Sequence, residues 1–370
     1  MRIGKFDTAR RVLVVAEIGN NHEGDFAAAQ ELVRQAAAAG ADAVKFQTFR
    51  TELFVRLTDV ARFEQLRRFE LTFDEFAALS DLARSVGLLF ISTPLDLESA
   101  AFLPRVCDAL KIASGDNNFV PLIECAAASG RPLIVSGGLA TLDELRASCE
   151  IIRRVWRGES RPEAEPLCRH SLRDRLAVLH CVASYPTPAA QTNLSAIATL
   201  GRELDVTPGY SDHTLGVVAA ALSVVAGARV VEKHFTLDKR RSSFRDHALS
   251  ADPHDMRELV RRIREYEPLI GDGEKRAQPC EAAGLVSLRR SIVARRDLAP
   301  GQRIRPEDLL WQRPGDGLAP GLEAGLLGQT LARALRAGEN VTPDALRGSA
   351  DENVCPRDGA RRVASPTRVS

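Results

Sequence analysis

Lysine is scarce in this 370-residue chain. Only six (Lys5, Lys45, Lys111, Lys233, Lys239, Lys275) occur among 50 basic residues, so arginine carries nearly all the positive charge and a lysine inside an apolar run stands out. Long apolar runs are missing too. Nothing approaches the ~20 residues that a membrane-spanning helix needs. The run Val12–Ala16 is too short for a secretory signal and meets Glu17 at once. The seven cysteines (Cys107, Cys125, Cys149, Cys168, Cys181, Cys280, Cys355) contain no Cys-x-x-Cys pair, and their odd number points to reduced thiols rather than a disulfide framework. A net charge of +1 offers no field for nucleic acid or an anionic membrane. A cytoplasmic protein with no nucleic-acid or membrane partner is expected.

What is present is an alternation. Short β-branched runs recur at Val12–Ala16, Ala43–Gln47, Leu88–Ser92, Ala109–Ile112, Leu133–Val135, Ala177–Cys181, Thr207–Tyr210 and Arg229–Lys233. Alanine- and leucine-rich helical patterns separate them, at Phe26–Ala39, Phe73–Val86, Val120–Ala128, Leu142–Val155, Leu194–Leu204, Val217–Ala226 and Pro253–Glu267. Gly40, Gly87, Gly130 and Gly227 stand where helices should end. Eight strands with intervening helices over residues 1–272 predict a (β/α)₈ TIM barrel of α/β class. The polar, arginine-rich stretch 157–173 reads as an exposed insertion before the sixth strand.

After Gly271-Asp-Gly the character changes. Residues 273–288 read as a linker and 289–347 as a small β-rich domain. Within it Leu298-x-x-Gly301-x-x-Ile304-x-Pro306 reappears as Leu335-x-x-Gly338-x-x-Val341-x-Pro343. Each copy predicts a strand, a glycine turn and a short helix with proline in its first turn. Two copies suit a pseudo-symmetric domain. The tail 348–370 lacks periodicity and is expected to be disordered.

In such a barrel the active site lies at the C-terminal ends of the strands. Reading those ends in order gives Glu17, then Lys45 with Gln47, Thr93, Lys111 with Ser114, Ser136, Tyr185, Ser211 with Asp212 and His213, and Glu232 with His234. Polar tips on all eight strands point to an enzyme. Lys45 and Lys111 beside Thr93, Ser114, Ser136 and Ser211 suit a phosphate and a carboxylate, although either lysine alone would equally suit an ion pair. His213 and His234 cap adjacent strands and could share one divalent ion, or be a structural pair. Asp212 and Glu232 are placed to orient their rings. Glu17 could act as a general base or pair with Lys45, or both. His22 and His180 carry a weaker signal, His180 reading as a packed core residue, while His170 and His254 read as surface positions.

The segments Glu17-Ile-Gly-Asn-Asn-His-Glu-Gly, Lys45-Phe-Gln-Thr, Ser92-Thr-Pro, Lys111-Ile-Ala-Ser-Gly-Asp-Asn-Asn, Gly209-Tyr-Ser-Asp-His-Thr and Glu232-Lys-His-Phe-Thr resemble the sialic acid synthase family. The C-terminal repeat, with Trp311-Gln-Arg-Pro-Gly-Asp-Gly, is similar to that family's antifreeze-like (SAF, β-clip) domain. The resemblance implies condensation of phosphoenolpyruvate with N-acetylmannosamine or a related amino-sugar aldehyde. It implies a divalent metal on His213 and His234, usually Mn²⁺, with Mg²⁺ or Co²⁺ as alternatives. Lys45, Thr93, Lys111, Ser114, Ser136 and Ser211 would hold phosphoenolpyruvate. Gln47, Asp116, Tyr185 and Asp246 would face the sugar, with Arg313 arriving from the partner of a domain-swapped homodimer.

The chain departs from the family pattern at Ala183, at Gly137-Gly138-Leu139, at Asp116 and at Phe244-Arg245. At Ala183 an asparagine of the family pattern is replaced, which puts one phosphoenolpyruvate contact in doubt, whereas Asp116 and Phe244-Arg245 bear on the sugar. The alternatives are a synthase of legionaminic- or pseudaminic-type acids, acting on a diacetamido sugar, and a Schiff-base aldolase using Lys45 or Lys111.

Overall fold

The computed structural model describes residues 1–159 and 171–348. Most of the expected insertion, nearly all of the expected disordered tail, and His170, Cys168 and Cys355 lie outside the described residues. The chain divides into two compact units, Met1–Asp272 and Gly273–Ser370.

Eight parallel strands close the first unit into a barrel: β1 (Leu13–Gly19), β2 (Ala43–Thr48), β3 (Leu89–Pro94), β4 (Ala109–Ile112), β5 (Leu133–Ser136), β6 (Leu176–Cys181), β7 (Thr207–Asp212) and β8 (Val230–His234). Each pairs with its sequence neighbours. β8 returns to β1 with Val230 opposite Leu13 and His234 opposite Glu17, so the first and last strands present their polar ends side by side.

Successive strand residues point to opposite faces, and this sorts the barrel into two apolar layers. Val14, Val44, Phe90, Leu110, Val135, Val178, Tyr210 and Val231 face the surrounding helices. Leu13, Val15, Ala43, Ile91, Ala109, Ile134, Ala177, Leu179 and Val230 fill the interior, joined by Met1 and Ile3 at a short N-terminal hairpin. The next inward positions along the strands are therefore left for polar groups, because the lower half of the barrel is already full of hydrocarbon. Thr72 with Glu75, and Thr141 with Glu144, form capping boxes that start the helices Phe73–Ser85 and Leu142–Trp156.

The structure adds helices at Thr51–Phe54, Val60–Phe69, Leu97–Phe102 and Arg245–Leu249. The first two are short and largely exposed, with Leu66 and Phe69 as the buried anchors of the second. Such weak amphipathicity leaves little periodicity to read.

In the second unit, the segment expected as a linker carries helical turns at Pro279–Glu281 and Ala282–Ser287. β9 (Ser291–Ala294) pairs antiparallel with β10 (Leu309–Gln312). The two repeats meet through their leading leucines, Leu298 and Leu335, which exchange both backbone hydrogen bonds. Gly301 and Gly338 share φ +83°, a conformation that L side chains resist. Pro306 and Pro343 each open a 3₁₀ turn. Only isolated bridges occur where the expected first strands of the repeats lie.

Gly209 of β7 is the tightest inward position. A Cβ there would lie 2.3 Å from Leu179 Cδ2 and 2.6 Å from the Val230 carbonyl oxygen. Gly209→Ala should therefore lower stability by about 2 kcal/mol, read as a reduced urea midpoint with an unchanged m-value.

Candidate active site

The polar strand ends enclose one cavity of about 380 Å³. Glu17, Lys45, Gln47, Thr93, Lys111, Ser114, Asp116, Ser136, Tyr185, Ser211, His213 and His234 all line it, together with Glu232, Cys181, Phe54, Leu95 and Leu139. Asp246 is buried on the short helix after β8, outside the lining, and Arg313 belongs to the second unit.

Four charges form the cavity floor. Lys45 Nζ lies 3.0 Å from Glu17 Oε2 and 3.5 Å from Glu232 Oε1, while Lys111 Nζ is 3.3 Å from Glu232. Ser211 Oγ donates to Glu232 Oε1 at 2.9 Å. Burial penalises the Glu232 carboxylate, but the two lysines outweigh it and hold its pKa below the usual range. Glu17 moves the other way, because burial and the nearby Glu232 charge together exceed the pull of Lys45. Lys45, despite its burial, is kept protonated by the two carboxylates. An ammonium so held suits anion binding better than Schiff-base attack. Ser136 Oγ is buried with no protein partner, an unspent donor beside the lysines.

The imidazoles face this floor. His213 and His234 have ring centroids 5.3 Å apart. His213 Nδ1 lies 2.8 Å from the Val182 carbonyl, which requires the proton on Nδ1 and leaves Nε2 as a lone pair. Burial lowers the pKa of both rings, most strongly at His234, where the positive character of its neighbours adds to the effect. His234 Nδ1 is buried without a partner. Two neutral, close imidazoles with unused nitrogen capacity are in the form a divalent cation needs. The Tyr185 ring lies 4.1 Å from that of His213, tilted by 32°, and the Arg245 guanidinium sits 4.8 Å above Tyr185.

The structure corrects the expectation that Asp212 and Glu232 orient the two imidazoles. Asp212 and Glu232 do not hydrogen-bond either ring. Glu232 faces the lysines, and Asp212 points out of the barrel to Lys233, 2.9 Å away. Strand alternation explains both: Glu232 shares the inward face of His234, two residues on, whereas Asp212 adjoins His213 and takes the opposite face. His180 bonds the Thr192 carbonyl as a packed residue, and His254 is exposed. His22 is fully buried, and burial depresses its pKa to about 4. Asp252, His254 and Asp255 also bring possible ligand atoms within 4.8 Å of one another. There Lys239 pairs both carboxylates and Asp252 caps a helix, so that cluster is already satisfied. The five cysteines among the described residues are unpaired.

Residues 32–275 match the NeuB family and residues 289–347 the SAF domain. The chain belongs to the NeuB family. An N,N'-diacetyllegionaminic acid synthase of Legionella pneumophila is 39% identical over 342 residues, spanning 89% of this chain and 92% of that one. The N-acetylneuraminate-9-phosphate synthase of Homo sapiens is 30% identical, spanning 82% and 83%. A crystal structure of the N-acetylneuraminic acid (sialic acid) synthetase from Leptospira borgpetersenii in complex with citrate superposes with a TM-score of 0.69 at 30% identity, covering 77% of this chain and 94% of that one. The protein is thus a phosphoenolpyruvate-dependent condensing synthase of the nonulosonic-acid type, from a family of metal-dependent enzymes. Among the described residues no helix is long and apolar enough to cross a membrane.

Asp116 shows a cost of the site. Burial raises its carboxyl from an ordinary value of 3.8 to about 6. The folded state therefore holds this proton more tightly than the unfolded chain, and stability falls as pH rises from about 4 through 6. Asp116→Asn should raise Tm by ~2 °C at pH 8, where the carboxylate is partly screened by solvent. The gain should be much smaller near pH 4, where the folded carboxyl is protonated and the unfolded one only partly ionised, and calorimetry at the two pH values reads the difference.

Proposed function

We propose that this synthase joins phosphoenolpyruvate to a phosphate-free, N-acylated amino-sugar aldehyde, and that its acceptor is a diacetamido-deoxyhexose leading to a legionaminic-type acid. The observation that carries this reading is the division of the cavity. Its lining cations, Lys45 and Lys111, both sit on the floor, and Phe54, Leu95, Leu139 and Tyr185 supply apolar surface elsewhere in the lining. One strongly anionic substrate and one neutral substrate with methyl-bearing substituents fit that division. The 39% identity to a diacetyllegionaminic acid synthase supports the same acceptor. N-acetylmannosamine is the second reading, favoured by the solved sialic acid synthetase.

In this mechanism Lys45 and Lys111 bind the phosphate and carboxylate of phosphoenolpyruvate, helped by the hydroxyls of Thr93, Ser114, Ser136 and Ser211. A divalent ion, Mn²⁺ for preference, would be held by His213 and His234 and would supply Lewis-acid polarisation of the sugar aldehyde. C3 of phosphoenolpyruvate forms the new bond to the aldehyde carbon, and positive charge develops at C2. Glu17 takes a proton from the water that adds at C2, and the aldehyde oxygen takes up a proton to become the new hydroxyl. The C2 hydroxyl gives up its proton as the C2–O bond to phosphate breaks, leaving the ketone and free phosphate. Gln47, Asp116, Tyr185 and Asp246 orient the acceptor. Arg313, from a partner in a domain-swapped homodimer, would bind the acyl-amino group. The pairing of each lysine with a carboxylate keeps both ammoniums fixed before substrate arrives, so positioning contributes much of the rate.

A panel of amino-sugar aldehydes with phosphoenolpyruvate and Mn²⁺, followed by phosphate release and product mass, tests the acceptor. The diacetamido sugar should give the highest kcat/KM, and a higher value for N-acetylmannosamine or a sugar 6-phosphate would overturn the choice. For the base, activity should fall as pH drops through the raised pKa of Glu17, because protonation removes the acceptor of the water's proton. Glu17→Gln should cost roughly 10²-fold or more in kcat and flatten that acidic limb between about pH 5.5 and 8.5. Retention of the limb would assign it to another group.

A further inference from the structure

Behind the two imidazoles, on the helix-facing side of the barrel, lies a buried polar network that the reaction does not use. Lys233 and Asp212 are directly opposite each other on β8 and β7. Their side chains are 1% and 0% exposed, in a predominantly apolar layer. Lys233 Nζ donates to Asp212 Oδ2 at 2.9 Å and to the Thr214 carbonyl at 2.5 Å. Asp212 Oδ1 accepts from the Thr214 backbone N–H at 2.9 Å and from Tyr210 OH at 3.1 Å. Lys233 thus grips the chain on both sides of His213, at residues 212 and 214, while being the immediate neighbour of His234. His213 lies just past the end of β7, where the strand ladder stops and its carbonyl accepts instead from the Thr187 N–H at 2.9 Å.

A fully buried ion pair is a poor source of stability, since desolvation of both charges offsets their attraction, and an apolar pair of similar size commonly does as well. Its position therefore calls for another explanation. We infer that Lys233 and Asp212 form a cross-strand tether that sets the spacing of His213 and His234, making both of them positioning residues for the divalent cation. The tether acts through the backbone: it fixes the direction in which each strand end delivers its ring, while the Val182 carbonyl fixes the tautomer of His213. This inference rests on the proposed metal role of the two histidines.

The test is a Mn²⁺ titration of the whole protein followed by electron paramagnetic resonance, with thermal melts alongside. The double variant Asp212→Asn, Lys233→Met removes both charges and the cross-strand bonds. It keeps an oxygen for Tyr210 OH and the Thr214 N–H. The Mn²⁺ dissociation constant should rise roughly tenfold, with Tm within a few degrees of wild type. A folded double variant that binds Mn²⁺ within twofold of wild type overturns the tether. Should the double variant not fold, Lys233→Gln serves instead: it keeps an amide donor that is too short to span both acceptors, and the same criterion applies. A His213→Ala, His234→Ala control separates the two levels. If wild type binds Mn²⁺ no more tightly than this control, the metal reading falls and the tether with it. If the control loses Mn²⁺ and the tether variants do not, only the tether falls.

Discussion

Glu232 stands between two lysines at the floor of the barrel mouth, and Glu17 completes the group from the neighbouring strand. All four side chains are almost entirely buried. None would be tolerable there alone, since an isolated charge removed from water is either neutralised or expelled. Together they hold two ammoniums in place and keep Glu232 ionised, while burial and the neighbouring Glu232 charge push Glu17 toward protonation against the pull of Lys45. The electrostatics of the cavity follow from that arrangement: two fixed cations at its floor and, beside them, a carboxyl with a raised pKa.

The barrel makes such a group possible by what it does below it. Leu13, Val15, Ile91, Ile134, Leu179 and Val230, with Met1 and Ile3, fill the interior beneath the charged layer. Gly209 marks how closely that filling is packed, since not even a methyl group fits. The low-dielectric surroundings that strengthen the ion pairs and shift their pKa values are therefore the hydrophobic core itself. Function and stability share the same strands, separated by two residues along the chain.

Much of this was readable from residue order. The eight apolar runs lie within three residues of the eight strands at either end, because parallel strands covered on both faces are near-continuous apolar stretches. The polar residues ending those runs converge because a closed parallel sheet brings all its C-terminal ends to one mouth. The SAF repeat was legible through its glycines and prolines, which punctuate the chain at positions where few other residues fit. Helices 51–54 and 60–69 were not legible, since their exposed, charged surfaces carry little periodicity and their placement depends on a few anchors such as Phe69.

Side-chain partnership was legible only in part: the pairing of Glu17 with Lys45 was one of the readings the sequence offered and the structure forms it, but the other partners were not readable. Asp212 and Glu232 read alike as acids next to histidines, yet one faces the helices and the other the cavity. Counting inward from His234 by twos would have placed Glu232, but its partners Lys45 and Lys111 come from strands far away in sequence. By itself, then, the sequence determined the strand count, the two-part organisation and the inventory of groups at the mouth, because these follow from local periodicity and chain order. Only the tertiary structure decided most of the charge pairings, which histidine nitrogen remains available and what lies behind the two imidazoles. Those depend on distances of a few ångströms between strands, which linear spacing does not encode.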